Sequence, residues 1–217
     1  MHKKIIVAGI GPGGEDYITP AALKKIRSAK FLVGGRRALS EFSAPNQITC
    51  AITADLDAPL NFIREKIPLG EVVVMVSGDP GYYSMLDLLR KNFPPESIEV
   101  IPSISAMQLA FAKIALSWHD ATLLSFHGRQ PARDALKFSA GKILGLLTDA
   151  EFNSATISKI LIDCGWDKNS LITICAKLSY PDEKIFTTTL AAAAQAPPVK
   201  HCILIVRSYN DSRGDFK

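Results

Sequence analysis

A run of five apolar residues, Val72–Val76, gives the clearest pattern in the chain. A short run without polar alternation predicts a strand buried on both faces, as in a parallel sheet covered by helices. The run stops at residues 77–81, Ser-Gly-Asp-Pro-Gly, and leucines then resume at helical spacing. A loop at the carboxyl end of a parallel strand is where open α/β sheets bind ligands, although an ordinary strand-to-helix turn has the same composition.

Strands and helices alternate through the rest of the first half. Thr19 followed by Pro20 predicts a helix start, because a hydroxyl N-cap and a proline at the first helical position both favour initiation. This alternation predicts a doubly wound parallel sheet. The predicted strands are residues 4–8, 31–33, 72–76 and 98–101, and the predicted helices are residues 21–29, 37–42, 57–67, 86–93 and 105–114.

The pattern changes near Ser117, and strand follows strand after Leu171. We therefore expect an α/β protein of two lobes, residues 1–116 and 117–217, with a ligand cleft between them. In the second lobe the predicted strands are residues 122–126, 142–147, 171–175, 184–187 and 202–206, and the predicted helix is residues 151–164, closed by Gly165.

The composition indicates the class of protein and the compartment in which it folds. Apolar residues make up 47% and charged residues 21%, which is typical of a globular protein. No apolar run approaches the roughly 20 residues of a membrane span, and the N-terminal apolar stretch is a first strand rather than a signal peptide. The four cysteines are scattered without metal-ligand spacing, which favours a reducing cytoplasm and predicts no metal site.

The net charge indicates which kind of ligand the protein can bind. A formal net charge of +4 fits an anionic ligand but does not require nucleic acid.

A glycine-rich loop follows the first strand, and Gly9, Gly11 and Gly14 have the spacing of the dinucleotide fingerprint. Pro12 lies inside the loop, the helix begins only near Thr19, and glycines and arginines replace the expected carboxylate after the second strand. Nicotinamide binding is therefore disfavoured, although an arginine there is compatible with a 2′-phosphate.

The motifs, taken in order, resemble the tetrapyrrole (corrin/porphyrin) methyltransferases over nearly the whole chain. Two later stretches, residues 124–129 and 178–185, resemble the branch that methylates C-5 of cobalt-precorrin-7 in cobalamin biosynthesis. The first set is Gly9-x-Gly11-Pro12-Gly13, then Thr19-Pro20, then Ser77-Gly78-Asp79-Pro80, then Pro102-Ser103-Ile104-Ser105-Ala106.

The resemblance implies the tetrapyrrole methylase fold, with S-adenosyl-L-methionine as the methyl donor and S-adenosyl-L-homocysteine as the product. It also implies a homodimer, a corrinoid substrate and a separate decarboxylating methyltransferase subunit, since longer relatives carry that activity on the same chain. The residues implied to bind the cofactor are Pro12, Ser77, Gly78, Asp79, Tyr82, Ser105, Ala106, Phe126, His127 and Leu178.

Substrate contacts and a base are expected beside these residues. The corrinoid is a polycarboxylate, which suits the guanidinium fork of arginine, although a solvated surface charge is the commoner role of an arginine. His127 is the candidate for removing a ring proton; a structural role at the strand end is the alternative. The expected substrate contacts are Gly11, Pro12, Gly13, Arg36, Arg37 and Arg129.

One position departs from the family pattern. Relatives tend to carry Glu-Asn where this chain has Ala176 and Lys177, which implies weaker cofactor binding or an altered polar network. Other readings of the function are methylation of another tetrapyrrole position or of RNA, and a non-catalytic tetrapyrrole or nucleotide binder.

Overall fold

The computed structural model describes residues 4–208, so the two ends of the predicted domains, residues 1–3 and 209–217, lie outside the described residues. The chain forms two compact units, Met1–Ser105 and Ala106–Lys217. This division comes earlier than the boundary predicted near residue 117. The helix that starts at Ala106 belongs with the second sheet, because Met107 and Phe111 pack around Gly145.

The first unit is a parallel five-stranded sheet with strand order β3-β2-β4-β1-β5, which confirms the predicted parallel sheet. Ile5 and Val7 pack on one face of the sheet, and Ile6 and Ala8 pack on the other, so helices cover both faces. The strands are β1 Ile5–Gly9, β2 Phe31–Gly35, β3 Ile48–Ile52, β4 Val72–Val76 and β5 Ile98–Ile101, and the helices are α1 Pro20–Ser28, α2 Arg36–Phe42, α3 Asp57–Lys66 and α4 Leu86–Asn92.

Helix α1 begins as predicted. The Thr19 hydroxyl accepts a hydrogen bond from the Ala22 amide at 3.2 Å, and Pro20 occupies the first helical position. The cap satisfies one of the amides that have no partner inside the helix.

The second unit contains a mixed five-stranded sheet with order β6-β7-β10-β8-β9. Strands β6 and β7 are parallel, and the other pairs are antiparallel, which agrees with the mixed pattern predicted for this half. The strands are β6 Thr122–Ser125, β7 Ile143–Leu147, β8 Leu171–Ala176, β9 Lys184–Thr189 and β10 Cys202–Arg207, and the helices are α5 Ala106–Lys113, α6 Arg133–Leu136, α7 Ser154–Asp163 and α8 Leu190–Gln195.

The strand β3 and the short helices α6 and α8 were not predicted. Helix α7 begins later than predicted because Asn153 is its N-cap, accepting from the amides of Ala155 and Thr156. Within residues 4–208, no helix combines the length and apolar character needed to cross a membrane.

Candidate functional site

In the first unit, the carboxyl ends of three neighbouring strands gather most of the predicted site residues. Strands β4, β1 and β5 are adjacent and parallel, so the loops that follow them leave the same edge of the sheet. These loops are residues 10–14 after β1, 77–81 after β4 and 102–105 after β5.

The glycine-rich loop is joined to the loop after β4 through the backbone. The Gly78 amide donates to the Gly11 carbonyl at 2.8 Å, and the two residues form an isolated antiparallel bridge. Both adopt left-handed backbone conformations, with φ of +76° at Gly11 and +69° at Gly78. A side chain at either position would be strained, so the close contact between the loops depends on glycine.

Gly9 has a different reason to be glycine. A Cβ there would lie 2.7 Å from the Gly78 carbonyl oxygen and 2.7 Å from the Ser103 Cβ, closer than real Cβ contacts allow. The end of β1 is therefore in direct contact with both neighbouring loops.

The Asp79 carboxylate connects the loops after β4 and β5. One oxygen accepts from the Gly81 amide at 2.7 Å and the other from the Ser103 amide at 3.0 Å. The Ser103 hydroxyl donates in turn to the Tyr17 carbonyl at 3.1 Å. The Asp79 side chain therefore holds the loops after β4 and β5 together.

Arg37 links three parts of this edge. Its guanidinium donates to Glu41 at 3.1 Å, to the Gly13 carbonyl at 3.4 Å and to the Ser77 hydroxyl at 3.5 Å. The structure thus brings Arg37, Gly13 and Ser77 together, whereas Arg36 is exposed at the start of α2.

Tyr82 follows the loop after β4. Its phenol oxygen is buried and has no hydrogen-bond partner among residues 4–208. Burial, reinforced by the neighbouring Tyr83, raises the pKa of Tyr82 above its usual range, so the hydroxyl keeps its proton. The next residue, Tyr83, has a φ of +51°, which is unusual for a bulky side chain. An unpaired buried hydroxyl is unfavourable and is a group that a bound ligand would satisfy.

The remaining predicted residues of this edge lie at its borders. Pro12 is half-buried in the glycine-rich loop, Ser105 is buried, and Ala106 is the first residue of α5.

In the second unit, the predicted residues follow strand β6. Phe126 is fully buried and its ring packs against Phe152, with the centroids 5.3 Å apart, while His127 and Arg129 are exposed. The His127 amide donates to the Ser125 hydroxyl at 3.1 Å, and the Gly128 amide donates to Asp149 at 3.1 Å.

Asp149 was not predicted from the sequence. It follows the end of β7 by two residues, and its position after a buried strand was the available signal. The amide of Phe152 is the main cause that lowers the pKa of Asp149, helped by the amides of Gly128 and Glu151 and by His127, while burial opposes them.

Leu178 lies in a tight turn after β8 and is buried, with 5% of its surface exposed. Its neighbours Lys177 and Ser179 have φ values of +52° and +70°. Glu183 holds this turn: it accepts from the Ser179 amide at 2.8 Å and pairs with Lys113 at 2.8 Å. The Lys113 hydrogen bond is the main cause that lowers the pKa of Glu183.

The Ala176-Lys177 departure has a simple local geometry. Ala176 is buried at the end of β8, and Lys177 forms an ion pair with Asp182 on the surface. Lys177 therefore extends toward the turn's own carboxylate. Lys177 has a φ of +52°, a left-handed conformation that asparagine tolerates better than lysine does.

No cluster of three or more His, Cys, Asp or Glu side chains suited to a metal ion occurs in the part of the chain that the structure describes.

Comparison with known proteins identifies a related group. The sequence profile of the Tetrapyrrole (Corrin/Porphyrin) Methylases matches residues 4–194. The probable cobalt-precorrin-7 C(5)-methyltransferase of Methanocaldococcus jannaschii is 31% identical over 199 residues, covering 88% of this chain and 91% of that protein. The cobalt-precorrin-7 C(5)-methyltransferase of Salmonella typhimurium is 32% identical over 188 residues, covering 87% and 92%.

Solved structures share the fold. The methyltransferase CobJ superposes with a TM-score of 0.80 at 21% identity, covering 95% of both chains. The uroporphyrin-III C-methyltransferase of Thermus thermophilus, solved with S-adenosylhomocysteine, gives a TM-score of 0.72 at 19% identity, covering 94% of this chain and 91% of that one.

Proposed function

This chain belongs to the tetrapyrrole (corrin/porphyrin) methylases, and from that premise we propose that it transfers a methyl group from S-adenosyl-L-methionine to C-5 of cobalt-precorrin-7 in cobalamin biosynthesis. The observation that carries the proposal is the similarity to cobalt-precorrin-7 C(5)-methyltransferases, which extends over almost the full length of both proteins. The predicted methyltransferase activity rests on the same similarity.

The residues of the first unit fit an S-adenosyl cofactor. The Gly78 backbone presents a glycine-lined loop at a strand end, and the buried Tyr82 hydroxyl lacks a partner among the described residues. A polar ligand with hydrogen-bonding groups would satisfy this hydroxyl. In this unit we propose cofactor contacts from Pro12, Ser77, Gly78, Asp79, Tyr82 and Ser105.

In the second unit we propose cofactor contacts from Ala106, Phe126, His127 and Leu178. For Phe126, His127 and Leu178, the fixed backbone of the turns that hold them supports this assignment. The turn after β6 is tied to Ser125 and Asp149, and the turn after β8 is tied to Glu183.

The cofactor would supply an electrophilic methyl group on a sulfonium, and the ring carbon of the substrate is itself the nucleophile. The protein's task is therefore to hold two reactants in line and to exclude water, and positioning of this kind is a large source of catalysis. We propose His127 as the group that accepts a proton from the ring. No protein nucleophile is required by this chemistry.

Substrate carboxylates are the proposed ligands of Arg36, Arg37 and Arg129, with the glycine-rich loop at Gly11, Pro12 and Gly13 beside them. Arg37 supports this assignment because its guanidinium already lies against Gly13 and Ser77. A bidentate contact with a carboxylate would compete with its present partner Glu41.

The first test is calorimetric titration of the protein with S-adenosylhomocysteine, with NADH as the control ligand. We expect saturable binding of one S-adenosylhomocysteine per chain and no response to NADH. Binding of NADH alone would overturn the proposal. Turnover is then measured with cobalt-precorrin-7 and a ¹³C-methyl donor, and NMR of the product locates the label; a label on another ring carbon would contradict the C-5 assignment.

We further propose a cytoplasmic homodimer that works with a separate decarboxylating methyltransferase chain. Light scattering coupled to size-exclusion chromatography measures the oligomeric state directly. A monomer at micromolar concentration would contradict the dimer.

A further inference from the structure

Asp149 accepts hydrogen bonds from several backbone amides of the second unit. One oxygen accepts from the amides of Glu151 at 2.9 Å and Phe152 at 2.7 Å, and the other accepts from the Gly128 amide at 3.1 Å. The Asp149 carbonyl also accepts from the His201 amide at 3.3 Å.

The bond to Gly128 differs from the other two because it joins residues 21 positions apart. Pairing of β6 with β7 ends at Ser125 and Leu147, and one more backbone bond, from the Phe126 amide to the Leu147 carbonyl at 2.9 Å, extends it. Beyond that point side chains replace backbone carbonyls as the acceptors. The Ser125 hydroxyl accepts from the His127 amide, and the Asp149 carboxylate accepts from the Gly128 amide.

Packing fixes Phe126 at the start of this turn but does little at Gly128. Gly128 has a φ of +64°, and no heavy atom outside its neighbours lies within 4 Å of the position that its Cβ would occupy. The next residue, Arg129, is exposed. A turn that is exposed and left-handed needs specific hydrogen bonds to keep one conformation.

The charge of Asp149 strengthens its bonds. The amide of Phe152 and the other donors hold the pKa of Asp149 below its usual range, so the carboxylate is ionised at neutral pH. Hydrogen bonds to an ionised acceptor are stronger than those between neutral groups.

We propose that Asp149 is a positioning residue for the turn at residues 126–129, and that its bond to Gly128 sets the placement of His127 for cofactor binding. The inference rests on the proposed function, because it takes Phe126 and His127 as cofactor contacts. Asp149 acts through Gly128 and need not touch the cofactor.

The test compares Asp149→Asn with Asp167→Asn in the full chain. Asparagine keeps the shape of Asp149 but offers the Gly128 amide a weaker, uncharged acceptor. Asp167 is a matched control because its carboxylate also accepts a local backbone amide, that of Asn169 at 2.7 Å, in an exposed turn. Calorimetry with S-adenosylhomocysteine and thermal unfolding are measured on both variants.

For Asp149→Asn we expect the Kd for S-adenosylhomocysteine to rise about tenfold, which corresponds to about 1.4 kcal/mol. The KM for S-adenosyl-L-methionine should rise similarly, while kcat stays within about threefold, because the turn would be misplaced but the chemistry unchanged. Asp167→Asn should bind within about twofold of the wild type. A purely structural role would lower the fraction of active protein and leave Kd unchanged, which overturns the inference.

The failure of the proposed function looks different, because wild-type protein would then not bind S-adenosylhomocysteine at all. A second measurement needs no variant. In the wild type, the Gly128 amide proton resonance should shift with the acid titration of Asp149. A resonance that does not move through that titration would also overturn the inference.

Discussion

The two units fix their candidate residues by different physical means. In the first unit, the loops after β1 and β4 contact each other through backbone, at the Gly11–Gly78 bridge. In the second unit, the turns after β6 and β8 are held by the carboxylates of Asp149 and Glu183.

The topology of the two sheets explains this difference. A fully parallel sheet brings every strand end to one edge, so short loops meet directly and need glycine where they touch. A mixed sheet gathers fewer strand ends at one edge, because antiparallel neighbours send their loops in opposite directions. The contact between glycines in the first unit should therefore be sensitive to added volume, whereas the turns after β6 and β8 in the second unit should be sensitive to lost charge.

The largest expected loss of stability comes from adding volume to the first unit. Gly9→Ala places a Cβ 2.7 Å from the Gly78 carbonyl oxygen, so backbone must shift. We expect a loss of about 2–3 kcal/mol and a fall in Tm of about 4–12 °C. The control is Gly70→Ala, whose Cβ would lie 3.5 Å from the Phe31 ring. Equal Tm values for the two variants would contradict the account of the Gly9 contact.

The next effect tests the carboxylate of Asp79, which joins the loops after β4 and β5 in the first unit. Asp79→Ala removes the acceptor for both the Gly81 and Ser103 amides, and we expect a loss of about 2 kcal/mol. Asp79→Asn keeps one acceptor oxygen and should lose about half as much. Urea unfolding measures both variants. If the alanine and asparagine variants lose the same stability, the hydrogen bond that asparagine retains does not contribute.

A smaller change should stabilise the protein. Tyr82→Phe removes a buried hydroxyl that has no partner among the described residues, so we expect unfolding to become harder by up to about 1 kcal/mol. Affinity for S-adenosylhomocysteine should fall severalfold, since the ligand loses a hydrogen bond. Tyr83→Phe, at an exposed neighbouring ring, should show neither effect. If Tyr82→Phe is stabilised but binds S-adenosylhomocysteine as tightly as the wild type, the Tyr82 hydroxyl does not contact the ligand.

The smallest effect concerns charge in the second unit. The folded pKa of Glu183 lies below its ordinary value of 4.5, so its contribution is present above that value and is lost as pH falls through the folded pKa. Glu183→Gln should lower Tm by about 1–4 °C at pH 7 and flatten the Tm profile below pH 4.5. The control is Glu71→Gln, which removes a surface pair with Lys25 in the first unit. An unaltered profile in Glu183→Gln would contradict the role of this pair.

Much of the architecture followed from local patterns. The buried run at Val72–Val76 and the Thr19-Pro20 helix start were both predicted and are both present. Strand β3 was missed because it is only half-buried at the edge of the sheet and shows no clean apolar alternation. Helix α6 was missed because its four residues are too few to show a period.

The site was harder to predict for a different reason. Loop residues such as Ser77 and Gly78 could be assigned by resemblance, whereas the partners of Asp79 and Asp149 could not. Ser103 is 24 positions from Asp79, and Gly128 is 21 from Asp149. Such contacts depend on which strands become neighbours, and short-range sequence patterns do not carry that information.

Strand β1 also has a consequence for how the first unit folds. It lies between β4 and β5, so Ile5 pairs with Val72 on one side and Ile98 on the other. At about 5–20 residues per second, a ribosome needs roughly 5–20 s to pass from Ile5 to Ile98, so β1 is without its β5 partner for that time. Pairing over such distances is slow, so folding of this unit should be limited by the late pairing of β1 with β5.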